Sequence, residues 1–235
     1  MNIDPSTISA EEQALLSESV CITSTVTLQH EPPQTIEEGV TLSSHTNDFQ
    51  HPTRHARVKN MIQTSNLQLL PVERVHVEAL LRNKSELAAL LQVTVPDGWP
   101  HFPEAFSLSA HESHESNLLA ADWHGYFFLH PKDRVLVGNG AFKGPPDDLG
   151  TIEIGYEIAS EYWNRRLATE ATQGMIDYAF SHEEVRAIIA HTLAQRNASD
   201  RVLQKVGMQF IAEVDDPEEG KVWRWQISRD EYHPA

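Results

Sequence analysis

The residues best suited to chemistry lie in the stretch 151–171, which reads TIEIGYEIASEYWNRRLATEA. Alternating residues typical of a strand are followed by a polar turn that carries Arg165 and Arg166, and then by the start of a helix. A turn that presents N–H groups and positive charge at a helix N-terminus is suited to bind an anion, typically a phosphate. The carboxylate of Glu153 lies one strand length before that turn. The stretch therefore indicates a phosphorylated cofactor beside a proton acceptor.

The elements that position this stretch form an α/β pattern, in the sense of a mixed α+β sheet. The order is β, α, α, an irregular segment with a helix, β, β, β, α, β, α, β, β, in which the three consecutive strands predict an antiparallel meander. We therefore expect a central mixed, mostly antiparallel sheet flanked by helices. The predicted strands are 66–71, 125–129, 134–142, 150–158, 185–193, 208–214 and 221–227, and the predicted helices are 73–82, 85–91, 104–122, 169–180 and 199–206.

The first part of the chain has a different composition. Residues 1–60 are rich in Ser, Thr, Glu and His and show no sustained apolar period, which predicts a loosely structured extension. A strand at 20–28 is the alternative. We expect residues 61–235 to form the folded domain, since 235 residues suffice for one medium domain with a tail.

The overall charge restricts the partners. With 18 basic and 34 acidic residues the formal net charge is −16, which argues against binding to nucleic acid or to an anionic membrane surface. A cationic amine would be attracted, although solubility alone also explains such a charge. No apolar run reaches the length of a membrane span, the start lacks a signal-peptide pattern, and Cys21 is the one cysteine. These features predict a cytoplasmic protein.

Thirteen histidines raise the question of a metal site. His111 and His114 would share one face of the predicted helix 104–122. A zinc site needs a third or fourth ligand, and the sequence indicates none. A solvated helix face is the favoured interpretation, so we predict no metal.

The element order and two stretches resemble the GNAT superfamily of acetyl-CoA-dependent N-acetyltransferases, in particular the branch of ribosomal-protein N-terminal acetyltransferases. The stretches are EIGYEIASEYWNRRLATEA and AHTLAQRNASDRVLQKVGM, and the resemblance covers roughly 66–227. It implies acetyl-CoA as cosubstrate and no metal. The implied acceptor is a primary amine of a small molecule or of a peptide or protein amino terminus, and a homodimer is one assembly that it allows.

The resemblance also implies which residues hold the cofactor. The end of the central strand would meet the pantetheine arm through Ile158 and Ala159, and the turn would present N–H groups to the phosphates. Family members usually carry glycines where this chain has Asn164 and Arg166, and glycine permits a positive φ and a close backbone approach. Asparagine tolerates the left-handed region, and the side chain of Arg166 can compensate by pairing with phosphate. A solvated helix start is the alternative role for the two arginines. The predicted phosphate residues are Asn164, Arg165, Arg166, Leu167, Ala168 and Thr169.

The last predicted helix departs from the family pattern at two positions. The usual asparagine falls at Arg196, and the adjacent Asn197 either approaches the cofactor or caps the helix that Gly207 can end. Leu203 stands where many members have a tyrosine that protonates the leaving thiolate. These departures and the missing glycines leave a second function open, namely a catalytically weak or inactive GNAT-like module that binds acyl-CoA and acts in regulation.

Acetyl transfer to an amine requires removal of a proton from the nucleophile. Glu153 matches the position of the general base in some family members, and burial would raise its pKa toward working pH. Glu157 lies on the same face of the strand and is a candidate for contact with the acceptor. The alternative for Glu153 is a solvent-facing strand carboxylate.

The acceptor side of the cleft is predicted to involve the proline-rich segment 93–106. Trp99 and Phe102 are large apolar residues on this segment, and the prolines stiffen it. We expect them to form a wall of the acceptor site. The alternative is that both side chains fill the core beneath the loop.

Overall fold

The computed structural model describes residues 60–103, 106, 122–217 and 219–234, and this part of the chain contains one eight-stranded sheet and four α-helices. The helices are α1 (Arg74–Arg82), α2 (Lys84–Leu91), α3 (Leu167–Phe180) and α4 (Ala198–Lys205). The strands are β1 (Ile62–Gln63), β2 (Gln68–Pro71), β3 (Gly125–His130), β4 (Val135–Phe142), β5 (Thr151–Ile158), β6 (Ala187–Leu193), β7 (Gln209–Asp216) and β8 (Gly220–Ser228).

The sheet confirms the predicted fold class. Its strand order is β1-β2-β3-β4-β5-β6-β8-β7. Each neighbouring pair is antiparallel except β5 and β6, which are parallel. The meander predicted from three consecutive strands is the run β3-β4-β5. The sheet is therefore mixed and mostly antiparallel.

The parallel pair opens a cleft at the centre of the sheet. β5 and β6 are paired only over three positions, the last of which joins Glu153 to Ile189. Beyond it β5 continues along β4 as far as Ile158, whereas β6 continues along β8 as far as Leu193. The two strands consequently diverge just before the polar turn that leads into α3.

Helices cover both faces of the sheet because alternate strand residues bury their side chains on opposite sides. On one face Ile154 and Tyr156 of β5 pack in a large apolar cluster with Ala171 and Met175 of α3. On the other face α1 and α2 cover a second cluster, which is built around Leu87, Trp99, Phe127 and Leu136. The cleft therefore opens between two packed layers.

Several predicted elements differ from the observed ones. β1 was not predicted, and α3 begins at Leu167 because Arg166 leaves the helical region with a φ of 64°. Residues 1–59, nearly all of the predicted helix 104–122 and its two histidines lie outside the described residues. Within the described ranges no helix is long and apolar enough to cross a membrane. The same ranges contain no group of three or more His, Cys, Asp or Glu side chains that could hold a metal ion.

Candidate active site

A pocket of about 170 Å³ lies between the turn that follows β5 and helix α4. The turn contributes Arg165 and Arg166, and α4 contributes Arg201 and Lys205. Four cations thus line one pocket in a chain whose formal net charge is −16. The remaining lining residues are Ile158, Tyr162, Trp163, Asn164, Leu167, Ala168, Thr169, Ala198 and Val202. The six residues predicted to meet the phosphates all line this pocket.

The turn has the backbone shape that glycine normally provides. Asn164 and Arg166 have φ values of 63° and 64°, both in the left-handed region. That region costs a non-glycine residue roughly 1–2 kcal/mol. The chain therefore keeps the expected conformation of the turn at a cost in strain, and it gains a second cationic side chain beside Arg165. The guanidinium of Arg165 lies 5.0 Å from the ring centre of Tyr162, which forms part of the same wall.

The start of α3 adds hydrogen-bond donors to this charge. The first N–H groups of a helix have no acceptor within the helix, and the side chain of Arg166 makes no capping hydrogen bond to them. Leu167, Ala168 and Thr169 carry these groups at the edge of the pocket. Unsatisfied N–H groups, a helix N-terminus and four cations together fit the pyrophosphate and phosphate groups of coenzyme A.

Two of the four cations were missed in the sequence. Arg201 and Lys205 are four residues apart, so they lie one turn apart on the same face of α4. Their spacing was visible, but nothing local indicated that this face would oppose the turn before α3. The pairing across the pocket arises only when α4 packs beside α3.

The two residues at the end of β5 that were predicted to meet the pantetheine arm, Ile158 and Ala159, differ in the direction of their backbone groups. Ala159 donates its N–H to Val137 O at 2.9 Å and accepts from Tyr162 N at 2.8 Å, so both of its backbone groups are used within the fold. Backbone groups alternate in direction along a strand, and those of Ile158 therefore point away from β4. The indole N–H of Trp163 donates to Ile158 O at 2.8 Å. A pantetheine arm along this edge would meet Ile158 rather than Ala159.

Asn197 caps α4. Its Oδ1 accepts from Asp200 N at 3.2 Å, and Asp200 Oδ2 accepts from Asn197 N at 3.1 Å, a reciprocal capping box. Asn197 is absent from the residues that line the pocket. Of the two roles left open by the sequence, the geometry supports the cap. Leu203, at the position of the expected tyrosine, is fully buried in the core.

Glu153 is held in an ion-pair cluster at the point where β5 and β6 diverge. Its Oε1 is hydrogen-bonded to the ammonium of Lys143 and lies 2.9 Å from His191 Nδ1. Only 20% of its side chain is exposed, so it is not a solvent-facing carboxylate. Burial acts to raise the pKa of Glu153, but the hydrogen bond from His191 and the charge and hydrogen bond of Lys143 outweigh it, and the pKa is lowered. The expectation of a raised pKa was wrong because the sequence did not reveal these two partners.

Glu157 lies buried beneath residues 99–103 of the segment that follows α2, with 3% of its side chain exposed. Its Oε2 accepts from the backbone N–H of His101 at 3.1 Å and lies 3.4 Å from His101 Nδ1. Its Oε1 has no hydrogen-bond partner among the residues that the structure describes. His101 was not singled out in the sequence, where no local pattern distinguishes it from the other histidines.

The two aromatic residues of the predicted acceptor wall have different environments. Trp99 is fully buried in the second apolar cluster, and its indole N–H donates to Asn139 Oδ1 at 2.7 Å. The core alternative is therefore the one that fits Trp99. Phe102 is partly exposed and stays a candidate for the acceptor wall.

Comparison with known proteins decides the family. The acetyltransferase (GNAT) domain family matches residues 66–209 of the chain. The chain belongs to the GNAT family. This GNAT protein is 25% identical to the uncharacterized N-acetyltransferase YjdG of Bacillus subtilis over 149 residues, which cover 63% of this chain and 88% of the relative. It is 34% identical over 76 residues to YoaA of the same organism, covering 32% of this chain and 43% of that relative.

Solved structures agree with the fold. A putative ribosomal-protein-serine acetyltransferase from Vibrio cholerae superposes with a TM-score of 0.54 at 16% identity, over 73% of this chain and 98% of that one. The ribosomal L7/L12 α-N-protein acetyltransferase RimL, in complex with coenzyme A, gives a TM-score of 0.54 at 17% identity, over 73% and 99%. At these identities the likeness concerns the fold. Family membership itself makes this GNAT protein an acetyl-CoA-dependent acyltransferase.

Proposed function

We propose that the protein transfers the acetyl group of acetyl-CoA to a primary amine by direct attack of the amine. The observation that carries this proposal is the pocket with four cations at the left-handed turn before α3, since it matches the phosphates of coenzyme A. The pocket adjoins the end of β5 at Ile158, and β5 also carries the carboxylates of Glu153 and Glu157.

The charge distribution supports separate sites for the two substrates. Cations surround the pocket at the turn, whereas the chain as a whole carries a formal charge of −16. An acidic surface raises the local concentration of a cationic acceptor. A lysine-like amine has a pKa of about 10.4 and an α-amino group one of about 7.7–8.0, so either acceptor is largely or partly protonated near neutral pH and must lose a proton before attack. Coenzyme A, with a thiol pKa near ~8.5, can leave as a thiolate without the tyrosine that Leu203 replaces.

The acceptor belongs to one of two chemical classes, a small amine or a peptide amino terminus. The two structural neighbours named above are acetyltransferases of ribosomal proteins, which makes peptide amino termini the first class to test. The assignment of Glu153 as the base stays a prediction, and its pairing with Lys143 weakens it. The cytoplasmic location also stays a prediction.

Calorimetric titration with acetyl-CoA tests the cofactor site. We expect Arg201→Gln and Lys205→Gln each to weaken binding about tenfold, or ~1.4 kcal/mol, because each removes a charge-assisted contact to phosphate. Arg74→Gln is the matched control, since Arg74 lies on α1 in an exposed pair with Glu78. Equal acetyl-CoA affinities of the parent and the three variants would contradict binding of the phosphates in this pocket.

Mass spectrometry of a panel of acceptors tests the reaction. The panel contains peptides, polyamines and aminoglycosides, each incubated with acetyl-CoA and the protein. We expect an acetylated product on at least one cationic amine. Acetyl-CoA binding without transfer to any amine would favour the alternative function, a GNAT-like module that binds acyl-CoA without turnover.

A further inference from the structure

A histidine and a carboxylate lie close together at the end of β5, and neither of them lines the proposed phosphate pocket. His101 lies on the described segment 92–103 after α2, and its backbone N–H donates to Glu157 Oε2 at 3.1 Å. The same oxygen lies 3.4 Å from His101 Nδ1. The imidazole is 32% exposed, whereas the carboxylate is 3% exposed. The pair thus has a buried anchor and an accessible ring.

One aromatic ring connects this pair to the cofactor pocket. Trp163 is stacked on the ring of His101, with centroids 6.3 Å apart and an interplanar angle of 21°. The same tryptophan lines the pocket and donates to Ile158 O. Only the ring of Trp163 therefore separates His101 from the pocket wall along which the acetyl-bearing arm of acetyl-CoA would run.

Glu157 retains a hydrogen-bonding capacity that the described residues do not fill. Its Oε1 is buried and lacks a partner among them, and a buried acceptor without a donor is costly. An amine N–H of the acceptor would supply the missing donor. Glu153, in contrast, already has Lys143 and His191 on its Oε1. Of the two carboxylates on this face of β5, Glu157 is the one that is not paired with a lysine of the described part of the chain.

We propose that His101 is the catalytic residue that accepts the proton of the attacking amine, and that Glu157 is the positioning residue that orients its ring. This inference rests on the proposed function. Because Nδ1 is the nitrogen nearest Glu157, Nε2 is the nitrogen that receives the proton. The amine nitrogen forms a bond to the acetyl carbon, and the C–S bond breaks with its electron pair on sulfur. One proton leaves the ammonium for solvent before attack. The second leaves the attacking nitrogen as the C–N bond forms and passes to His101 Nε2 and then to solvent, while the thiolate takes up a proton from solvent.

The charged groups around the imidazole suit this role. The hydrogen bond to Glu157 is the largest influence and raises the pKa of His101 above 6.5; burial acts in the opposite direction, the charges of Glu157 and Glu161 add to the rise, and Lys84 opposes it. A base with a raised pKa accepts a proton more readily. It also becomes available only as the pH rises, so the rate should climb through the pKa of His101.

The kinetics of His101→Gln test the proposal. The rate of CoA release is measured with the amine of the panel that reacts fastest; if no amine reacts, the rate of acetyl-CoA hydrolysis is measured instead. We expect kcat to fall ~10²–10⁴-fold, loss of the rise in rate with pH, and acetyl-CoA affinity within about twofold of the parent. His130→Gln is the matched control, because His130 forms a similar pair with Asp133 at 3.3 Å on the β3–β4 turn. Glu153→Gln should lose less than tenfold. An unaltered pH profile in His101→Gln, or a larger loss in Glu153→Gln, overturns the proposal.

Two further measurements separate this proposal from the proposed function. Histidine NMR titration, with the resonance assigned by its absence in His101→Gln, should give a pKa above 6.5 that falls in Glu157→Gln; a value at or below 6.5 overturns the pair. The pH dependence of the rate is also measured with two peptides whose amino termini differ in pKa. The rise in rate assigned to His101 should occur at the same pH for both peptides, and a rise that shifts with the pKa of the amine overturns the proposal. Failure of the wild-type protein to bind acetyl-CoA would instead contradict the proposed function.

Discussion

Glu153 and Glu157 lie on the same face of one strand, yet their neighbours give them different chemical properties. Burial acts to raise the pKa of Glu153, but the hydrogen bond from His191 and the charge and hydrogen bond of Lys143 outweigh burial and lower this pKa. Among the described residues, the carboxylate of Glu157 is hydrogen-bonded through Oε2 to His101, and its Oε1 has no partner there. The type of side chain is the same, so the difference arises entirely from contacts made through space. A carboxylate already paired with a cation is a poor proton acceptor.

The ion pair of Glu153 should contribute to stability in a pH-dependent way. Its pKa is lowered in the folded state, so the contribution is present above pH ~4.5 and is lost as the pH falls through the folded pKa. We expect Glu153→Gln to reduce the free energy of unfolding at pH 7 by about 1–3 kcal/mol. Urea denaturation at a series of pH values should show the gap closing below pH ~4.5.

Glu78→Gln serves as the control for this measurement. Its partner Arg74 lies on the same helix, and both side chains are largely exposed, so the cost should stay under ~0.5 kcal/mol. A gap for Glu153→Gln that stays constant down to acid pH would mean that its charge does not stabilise the fold.

The turn before α3 is the element on which the proposed cofactor site depends. Its two left-handed residues, Asn164 and Arg166, adopt a conformation that glycine adopts without strain. In return, the chain gains a guanidinium at the mouth of the pocket. Backbone strain at a ligand-binding turn persists because the surrounding structure and the ligand stabilise it.

Glycine substitutions separate the strain from the charge. We expect Arg166→Gly to leave the free energy of unfolding unchanged or to raise it by up to about 1 kcal/mol, since relief of strain is partly offset by backbone entropy. Its affinity for acetyl-CoA should fall about tenfold with the lost charge. Asn164→Gly introduces the same backbone freedom without removing a charge and should keep its affinity. Thermal unfolding and calorimetry measure the two quantities, and an equal loss of affinity in both variants would make the backbone, not the charge, responsible.

At the scale of the whole molecule, Arg229 connects the segment that follows β8 to the segment between α3 and β6. The guanidinium of Arg229 donates to the carbonyl oxygens of Phe180, His182 and Val185, which lie between the end of α3 and the start of β6. It also lies 5.3 Å from the ring centre of Phe180. This contact fixes the C-terminal end of the helix whose N-terminus borders the cofactor pocket.

Arg229→Lys should destabilise the fold without altering the site. An ammonium cannot reproduce three donors in a planar fork, so we expect the free energy of unfolding to fall by about 1–3 kcal/mol. Acetyl-CoA affinity should stay within about twofold, because the substitution lies at the far end of α3. Arg82→Lys, in an exposed pair with Glu86 on the protein surface, is the control. Stability equal to that of the parent would show that the segment after β8 is not held by this side chain.

Local patterns in the sequence were sufficient for the order of the described elements from β2 onward and for the turn. Alternating apolar residues identify β5, Asn197 and Gly207 border α4, and the turn at 164–166 takes the left-handed shape that the family's glycines imply. These properties depend on hydrogen bonds and backbone preferences between residues a few positions apart. The six residues predicted to meet the phosphates belong to this turn and the start of α3 and line the pocket, and their role stays a prediction.

Only the tertiary structure decided the surroundings of each side chain. Glu153 meets Lys143 across 10 residues and His191 across 38, and Glu157 meets His101 across 56. Burial of Trp99 and the facing of α4 toward the turn likewise depend on how distant elements pack. Because pKa and accessibility are set by distance in space and not along the chain, the sequence determined the cofactor turn, whereas the fold determined which groups beside it are left for chemistry.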